Sequence, residues 1–434
     1  MFYAGICKMD VTPPVGYRLA GHSDREKPSE KVNDPLFLKV LTLFDGKNRV
    51  AIITSDLISF NGHVDSIKRL VKDKIDMDEK NLFLTASHTH TGPATDINSF
   101  YMPKDHVLQD YLSLLGKIIC GGIIEAKNRE EPVRISWGES RINIGIINRR
   151  MKTKQGIRSG PNPEGAIDEG VYVLKIEKKT GSPVAILFNY TCHPTTLSSS
   201  IYQISADYPG VAQRELEKFY PESISLFTNG CCGDVRPAII KDGKFAGGDF
   251  EDIERMGKLL AAEVIKTAEQ AEEIKGKKVA GILRKHKFQL DKTLIPVNKD
   301  KLEVAFQKHI KHNHPRYAKY IDAWKQHMLE KIEKGEKMSS FLCGSVQVLN
   351  IGEIAIVGLP GEIMVEIGLK IKKKAGKKVI VAGYANGGMG YIPTKKAMSE
   401  GGYEATSFLF EDYPAPYAPD MEETLINTVI KMLQ

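Results

Sequence analysis

Asn81–Asp96, NLFLTASHTHTGPATD, is the stretch around which the chain organises itself. Asn81–Ala86 is apolar and partly β-branched, the pattern of a buried strand. Ser87-His88-Thr89-His90 follows, and Gly92-Pro93 turns the chain away. Residues two apart in extended backbone point the same way, so His88 and His90 both face one cleft at the strand's mouth. Imidazole is the commonest protein ligand for zinc, and two of them at a strand end make half a site. Two loop histidines with ordinary hydrogen bonds are the plainer alternative, and on His-x-His alone the readings weigh about equally.

The pattern recurs along the chain. Ala185–Tyr190 is an apolar strand that delivers His193-Pro194, and Ile224–Thr228 runs into Asn229-Gly230-Cys231-Cys232-Gly233-Asp234. In α/β proteins, sites collect in loops at strand ends. Ile354–Gly358 leads through Leu359-Pro360-Gly361-Glu362 into a helix predicted over Ile363–Lys374. Glu362 there suits a helix N-terminus, and it is also well placed to enter a cleft. Asp56, after the strand Val50–Thr54, would orient a histidine or bind a cation, although capping the next turn is the plainer job.

Further strands are expected at Phe2–Met9, Leu36–Leu43, Val133–Glu139, Gly170–Lys178, Lys278–Phe288, Ser345–Ile351 and Val379–Gly383. Helical periodicity marks Val64–Ile75, Val107–Glu125 and Glu251–Ala271. Ile144–Gly165, rich in Arg, Gly, Pro and Asn, reads as an exposed functional loop. Lys299–Glu336 is a charged helical stretch broken at Pro315 with little apolar stripe, so 299–338 reads as a surface insertion or lid. Its His309, His312 and His314 sit among lysines, which favours a solvated role. The Gly-, Tyr- and Pro-rich segment 384–419 is too long for a simple connector, and no internal repeat is visible. The expectation is one α/β domain over 1–434, a mixed sheet flanked by helices, with a helical insertion.

Composition narrows the function. At 434 residues, 42% hydrophobic and 26% charged, the chain has the balance of a soluble globular protein. No apolar run approaches the ~20 residues of a membrane span, and the N-terminus has no secretion-signal pattern. Six cysteines with no CxxC pair do not form a disulfide framework, which fits a reducing cytoplasm. The net charge of +7 comes from local lysine crowding without interleaved aromatics or a phosphate loop, so nucleic acid is not the expected partner. A small-molecule substrate is. The oligomeric state is not encoded in any visible pattern.

Taken together, seven segments resemble the neutral/alkaline ceramidase family in its N-terminal catalytic domain. They are Gly5-Ile6 through Thr12-Pro13, Ser87 through Pro93, Ile147-Asn148-Arg149, Asn189 through Pro194, Asn229 through Pro237, Pro360-Gly361-Glu362, and Gly390-Tyr391 through Tyr403-Glu404. The resemblance implies zinc held by His88, His193, Glu362 and Tyr391. It implies that Tyr403 holds substrate and that His90, Arg149 and Gly21 line the pocket. Two imidazoles, a carboxylate and a weak fourth ligand also suit a catalytic zinc on chemical grounds, with one position left for water or a carbonyl oxygen. Two features depart from the family: Arg236 stands where ceramidases have an essential serine, and the chain ends at Gln434 without the family's C-terminal β-sandwich. Both point away from ceramide itself.

The leading expectation is a zinc-dependent hydrolase cleaving an amide of a small, water-soluble N-acyl compound by metal-activated water. His90 or Asp234 is the candidate general base, and Tyr391 or Tyr403 the oxyanion donor. Arg236 with Arg149 suggests an anionic group on the substrate; an internal ion pair of Arg236 with Asp207 or Asp234 competes closely. Asp56 and Asp207 are candidates for orienting the histidines. A lipid amide substrate and a non-catalytic zinc-binding relative are the alternatives.

Overall fold

The strand Leu82–Ala86 is buried along its whole length because both of its faces are packed. Phe83 enters one core, while Leu82 and Leu84 enter another. A strand covered on both sides needs no polar alternation, which is why its sequence reads as a continuous apolar run. The computed structural model describes residues 1–22, 24–95, 106–312, 318–411 and 413–434, without the side chains of 106–108 and 308–312. Asp96, His314 and the side chains of His309 and His312 lie outside the described residues.

Leu82–Ala86 is one edge of a mixed sheet. From the opposite edge the order is Ile224–Asn229, Pro183–Tyr190, Gly170–Lys178, Glu131–Arg141, Phe2–Asp10, Phe37–Phe44, Arg49–Ser55, Leu82–Ala86, and Glu272–Glu273 also pairs with Glu131–Arg141. Only the outermost pair at each end of this path is parallel; the pairs between are antiparallel. Each parallel pair is joined through a helix, Val64–Ile75 in one case and Asp207–Phe219 in the other, and each half closes with a longer helix, His106–Asn128 or Phe250–Glu269. Residues 2–128 and 131–269 therefore repeat one topology that has no trace in the sequence.

A second sheet, Val279–Gln289, Phe341–Ile351, Ile354–Gly358 and Val379–Ala382, packs on the first. Leu349, Ile351, Ile354, Ile356 and Ile380 share a core with Phe2, Leu41, Val50, Ile52 and Leu187. The opposite face, with Val346, Val348, Ala355 and Val357, is covered by Ile367 and Ile371 of helix Val365–Lys374 and by Leu425 and Val429 of helix Met421–Leu433. The α/β expectation is met, with two sheets in four layers. The segment after the second sheet then laces the first sheet's edges together. Gly383 N–H donates to Asn229 O at 3.0 Å and Asn386 N–H to Leu84 O at 2.8 Å. Asn229 Nδ2 donates to Ser87 O at 2.9 Å and to Cys192 O at 3.2 Å.

Three local expectations change. Ile144–Gly165 is not an exposed loop but a β-hairpin, Ile146–Thr153 with Gly156–Asn162, whose Asn148, Arg149 and Arg150 are buried. Its polar residues are matched by distant partners, which local composition does not reveal. Glu362 does not open a helix. It forms a short strand with Ile363, parallel to Tyr391–Ile392, and the helix begins at Val365. The stretch near 299–338 forms helices Lys299–His312 and Ala318–Glu333, and these have an apolar face after all. Leu302, Ala305, Ile321, Trp324 and Met328 pack on Phe408 and Leu409, and Trp324 Nε1 donates to Tyr413 O at 2.9 Å. The helical pair thus rests on the segment that carries Tyr403.

Candidate active site

His88 lies just past the edge strand with a left-handed φ of 69°. A residue other than glycine in that region carries strain on the order of 1–3 kcal/mol, which the surroundings must hold. Here the hold is direct: its N–H donates to Leu57 O at 2.9 Å, and its Nδ1 donates to Ile58 O at 2.8 Å. Tyr384 stacks beside the ring, 4.1 Å between centroids. His193 is fully buried; its N–H donates to Val235 O at 3.0 Å and its Nδ1 to Cys232 O at 2.5 Å. In both histidines the proton on Nδ1 leaves the Nε2 lone pair free. Both lone pairs face Glu362: Oε2 is 2.9 Å from His193 Nε2 and 3.4 Å from His88 Nε2.

Such an arrangement sets acceptor against acceptor. Burial alone would raise the Glu362 carboxyl, and it is positive charge on the side of His88 and His193 that brings it well below the usual carboxylate range. Burial, foremost, lowers His193 to about 4. An ionised carboxylate and a neutral imidazole do not share a proton, so a cation fits the point they face. The edge of a tetrahedron with ~2.0 Å bonds is ~3.3 Å, close to both separations. The backbone carbonyl behind each Nδ1 is the orienting partner that a metal-bound histidine needs. The donor set therefore fits a zinc-type ion.

His90 joins this group: each of His88, His90 and His193 brings a nitrogen within 4.8 Å of the other two. Neither His90 ring nitrogen has a hydrogen-bond partner among the described residues. Its ring meets His88 edge-on at 5.0 Å and His22 at 5.1 Å. Burial, then the neighbouring imidazoles, keep it neutral, well below the usual histidine value. Gly21 explains how the ring fits: at φ +83°, a Cβ there would lie 2.2 Å from His90 Cγ and Nδ1. Arg25 ties the loop down by donating to Ala20 O at 2.8 Å and to His90 O.

Across the centre, Tyr391 lies parallel to the His193 ring at 6.4 Å, and its register partner is Glu362. Its phenol is neutral: burial raises it far above the ordinary value, Arg149 lowers it and Glu362 raises it. Arg149 sits over the rings of Tyr391 at 5.2 Å and Tyr403 at 5.6 Å. Arg149 Nε and Arg150 Nη1 clamp the buried Glu404 at 2.9 and 2.6 Å.

The predicted residues divide into two groups. His88, His90, His193, Glu362, Tyr391, Tyr403, Arg149 and Gly21 converge. Asp234 turns elsewhere: Oδ1 accepts from Val365 N–H at 2.8 Å and Oδ2 from Asn148 Nδ2 at 2.9 Å, at the wall of a separate polar cleft of about 540 Å³. Asp56 accepts from Phe37 N–H and Gln213 Nε2, and Asp207 from the N–H groups of Thr196, Leu197 and Tyr208. These two carboxylates brace loops rather than imidazoles. Arg236 makes no direct ion pair with Asp207, Asp234 or any other described carboxylate within 4.0 Å, although the Asp207 charge acts on it from farther away. The sequence reading missed His22, Arg150, Tyr384 and Glu404. Only Glu404 left a signal, as the neighbour of Tyr403.

Fold and site together define a four-layer α/β protein with a buried imidazole–carboxylate centre where its sheet edges meet. The family model described as neutral/alkaline non-lysosomal ceramidase, N-terminal, matches residues 2–248, and the chain belongs to that family. Neutral ceramidase of Pseudomonas aeruginosa is 21% identical over 94% of this chain and 69% of its own length. Neutral ceramidase A of Dictyostelium discoideum is 26% identical over 38% of this chain and a quarter of its own, 25%. The crystal structure of neutral ceramidase from Pseudomonas aeruginosa superposes with a TM-score of 0.77 at 19% identity, covering 100% of this chain and 74% of that one. A ceramidase complexed with C2 gives 0.74 at 18% identity over the same shares, 100% and 74%. At these identities the structural likeness speaks for the fold.

Proposed function

We propose that the chain is a zinc-dependent amide hydrolase acting on a small, soluble N-acyl compound in a reducing compartment such as the cytoplasm. One observation carries the reading: His88 Nε2, His193 Nε2 and Glu362 Oε2 converge with both Nδ1 protons already committed to carbonyls. Family membership supports amide chemistry. The six cysteines, all free, support the compartment. No helix among the described residues is long and apolar enough to cross a membrane.

Zinc, when bound, would supply a Lewis acid for the scissile carbonyl and lower the pKa of water at the site. The chain's own groups do the rest. His90, neutral and without a hydrogen-bond partner among the described residues, takes the proton of the attacking water and returns it to the leaving amine. The Tyr391 phenol, kept protonated by its surroundings, donates to the oxyanion as it develops. Arg149, fixed by Glu404, holds Tyr391 and Tyr403 in register. Ceramide-type lipid amides are the second reading, favoured by the family alone.

Amine release from soluble N-acyl compounds and a short-chain ceramide, with zinc-loaded and chelator-stripped protein, tests the proposal. Zinc-dependent turnover of the soluble members supports it. Turnover of ceramide alone, or equal rates with and without zinc, would sink it.

A further inference from the structure

Most of the buried cations in this protein have acidic partners, and Arg25 instead donates to the carbonyls of Ala20, His90 and Ser199. Lys39 pairs with Glu217, Arg49 with Glu130, Arg149 and Arg150 with Glu404, and Lys372 with Asp168. Desolvating an unpaired charge costs several kcal/mol, so such pairing is the physical norm. Arg236 breaks it. Among the described residues no carboxylate lies within 4.0 Å of its guanidinium, and its Nε is buried with no hydrogen-bond partner. Its guanidinium carbon lies over the ring of Phe245, 4.4 Å from the centroid.

Register shows where this charge is held. Arg236 lies opposite Ile147 in the antiparallel ribbon, so Arg149 is its diagonal neighbour on the same face. Diagonal neighbours have Cα atoms ~7–8 Å apart, within mutual reach of long side chains. Burial and then the Arg149 charge hold Arg236 down to about 10, as expected of two cations facing one space. Arg149 adds an unpartnered donor of its own, since Nη2 is buried without a bond although Nε holds Glu404. His22 Nε2, beside His90, is likewise unpartnered. Two guanidinium donors and one imidazole nitrogen, on three segments, are thus left without partners among the described residues. They flank the centre closely, because the carbonyl of Val235, next to Arg236, accepts the His193 N–H.

We propose that Arg236 and Arg149 form an oxyanion subsite that selects N-acyl compounds with a carboxylate or phosphate a few bonds from the scissile amide. The inference rests on the amide-hydrolase reading for its substrate, but not for the subsite itself. Guanidinium forks match both oxyacids in pairs of parallel hydrogen bonds. The ligand brings the counter-charge that the protein withholds, so a neutral analogue would leave the half-buried Arg236 unpaired. Discrimination of this kind is large because it is the site's own polar groups that go unsatisfied.

Four probes test it: N-acetylalanine and its methyl ester, and N-acetyl-O-phosphoethanolamine and N-acetylethanolamine. Calorimetry on zinc-free protein measures binding without turnover, and amine release by zinc-loaded protein measures catalysis. At least one anionic probe should bind tenfold or more tightly than its neutral partner. Arg236→Ser should bring that ratio to within about twofold, at an unchanged melting temperature. If that variant does not fold, Arg236→Lys keeps the charge, loses the fork and should cut the ratio at least threefold. Whichever oxyacid shows the larger ratio is the one the subsite suits. Equal binding within both pairs, or a ratio untouched by Arg236 substitution, would overturn the proposal. Arg236-dependent binding with no amine released from any probe would leave the subsite standing and remove the hydrolase reading. Turnover without anionic preference would do the reverse.

Discussion

Glu404→Gln separates the fold's electrostatics from its packing. Glu404 is 3% exposed and accepts from Arg149 Nε at 2.9 Å and Arg150 Nη1 at 2.6 Å. Glutamine keeps the shape but removes the charge, and its amide group must point a donor at one of two arginine donors. Breaking a buried pair from one side costs about 3–5 kcal/mol, because the stranded cation stays desolvated. Arg150 retains the Gly401 carbonyl at 2.9 Å, and the new amide oxygen still serves one guanidinium. Both offsets place the expected loss toward the lower end, about 3 kcal/mol. Urea unfolding followed by circular dichroism reads it directly. The pH dependence has a definite sign. Burial would raise Glu404, but Arg149 and Arg150 hold it below its ordinary value. Its contribution is therefore complete above the unfolded carboxyl value, ~4.3, and fades as pH falls through the lower folded value. The gap between wild type and Glu404→Gln should be full at pH 7 and close in acid. A loss under 1 kcal/mol at pH 7, or a gap independent of pH, would refute the idea that this carboxylate anchors Arg149 electrostatically.

Three further outcomes are expected. Alanine at His88, His193 or Glu362 should lower bound zinc, counted by plasma mass spectrometry, from near one per chain to under a tenth; stoichiometric zinc in all three variants would refute the centre. Gly21→Ala places a methyl 2.2 Å from the His90 ring on left-handed backbone. It should cost about 1–2 kcal/mol from backbone strain alone and reduce amine release at least tenfold by displacing His90, and a fully active variant would show that His90 has room to spare. Trp324→Ala removes a fully buried indole and its bond to Tyr413 O. A loss of about 3–5 kcal/mol is expected, with new proteolytic cuts inside Lys299–Glu333. An uncut chain would mean that the helical pair is held by something else.

What was legible in the sequence follows from where the physics is local. Leu82–Ala86 announced itself because both its faces are buried, and the strand ends carrying His88, His193 and Glu362 followed from that pattern. Ile144–Gly165 was misread because its burial depends on Glu404, about 250 residues away, and pairing over that separation leaves no local periodicity. The helices Lys299–His312 and Ala318–Glu333 hid their apolar face for a related reason. Few residues form it, and its partner surface is the irregular segment around Phe408. Asp56, Asp207 and Asp234 show the opposite error. Their types suited a metal site, yet each spends its oxygens on backbone or amide N–H groups that only the fold brings near. Tyr384 has no residue-type signature at all; its place under His88 comes from the seam between sheet edges.

That seam also explains why the chain needs both of its topologically alike halves. In the first half, the outer strand of the parallel pair ends in His88, and the loop after the inner strand supplies the Ile58 carbonyl that fixes its Nδ1. In the second half the roles are exchanged: the inner strand ends in His193, and the loop after the outer strand supplies the Cys232 carbonyl. Each parallel pair thus makes one oriented imidazole, and neither makes two. Asn229 binds Ser87 O and Cys192 O and so bridges the two strand ends that carry the imidazoles. Glu362 then arrives from outside the duplicated sheet, on a strand whose partner carries Tyr391. The bonds that bridge the sheet edges and the bonds that aim the ligands are different bonds, but they hold the same strand ends. A perturbation of the seam, even one that touches no ligand, should be felt at the centre as a loss of aim before it is felt as a loss of fold.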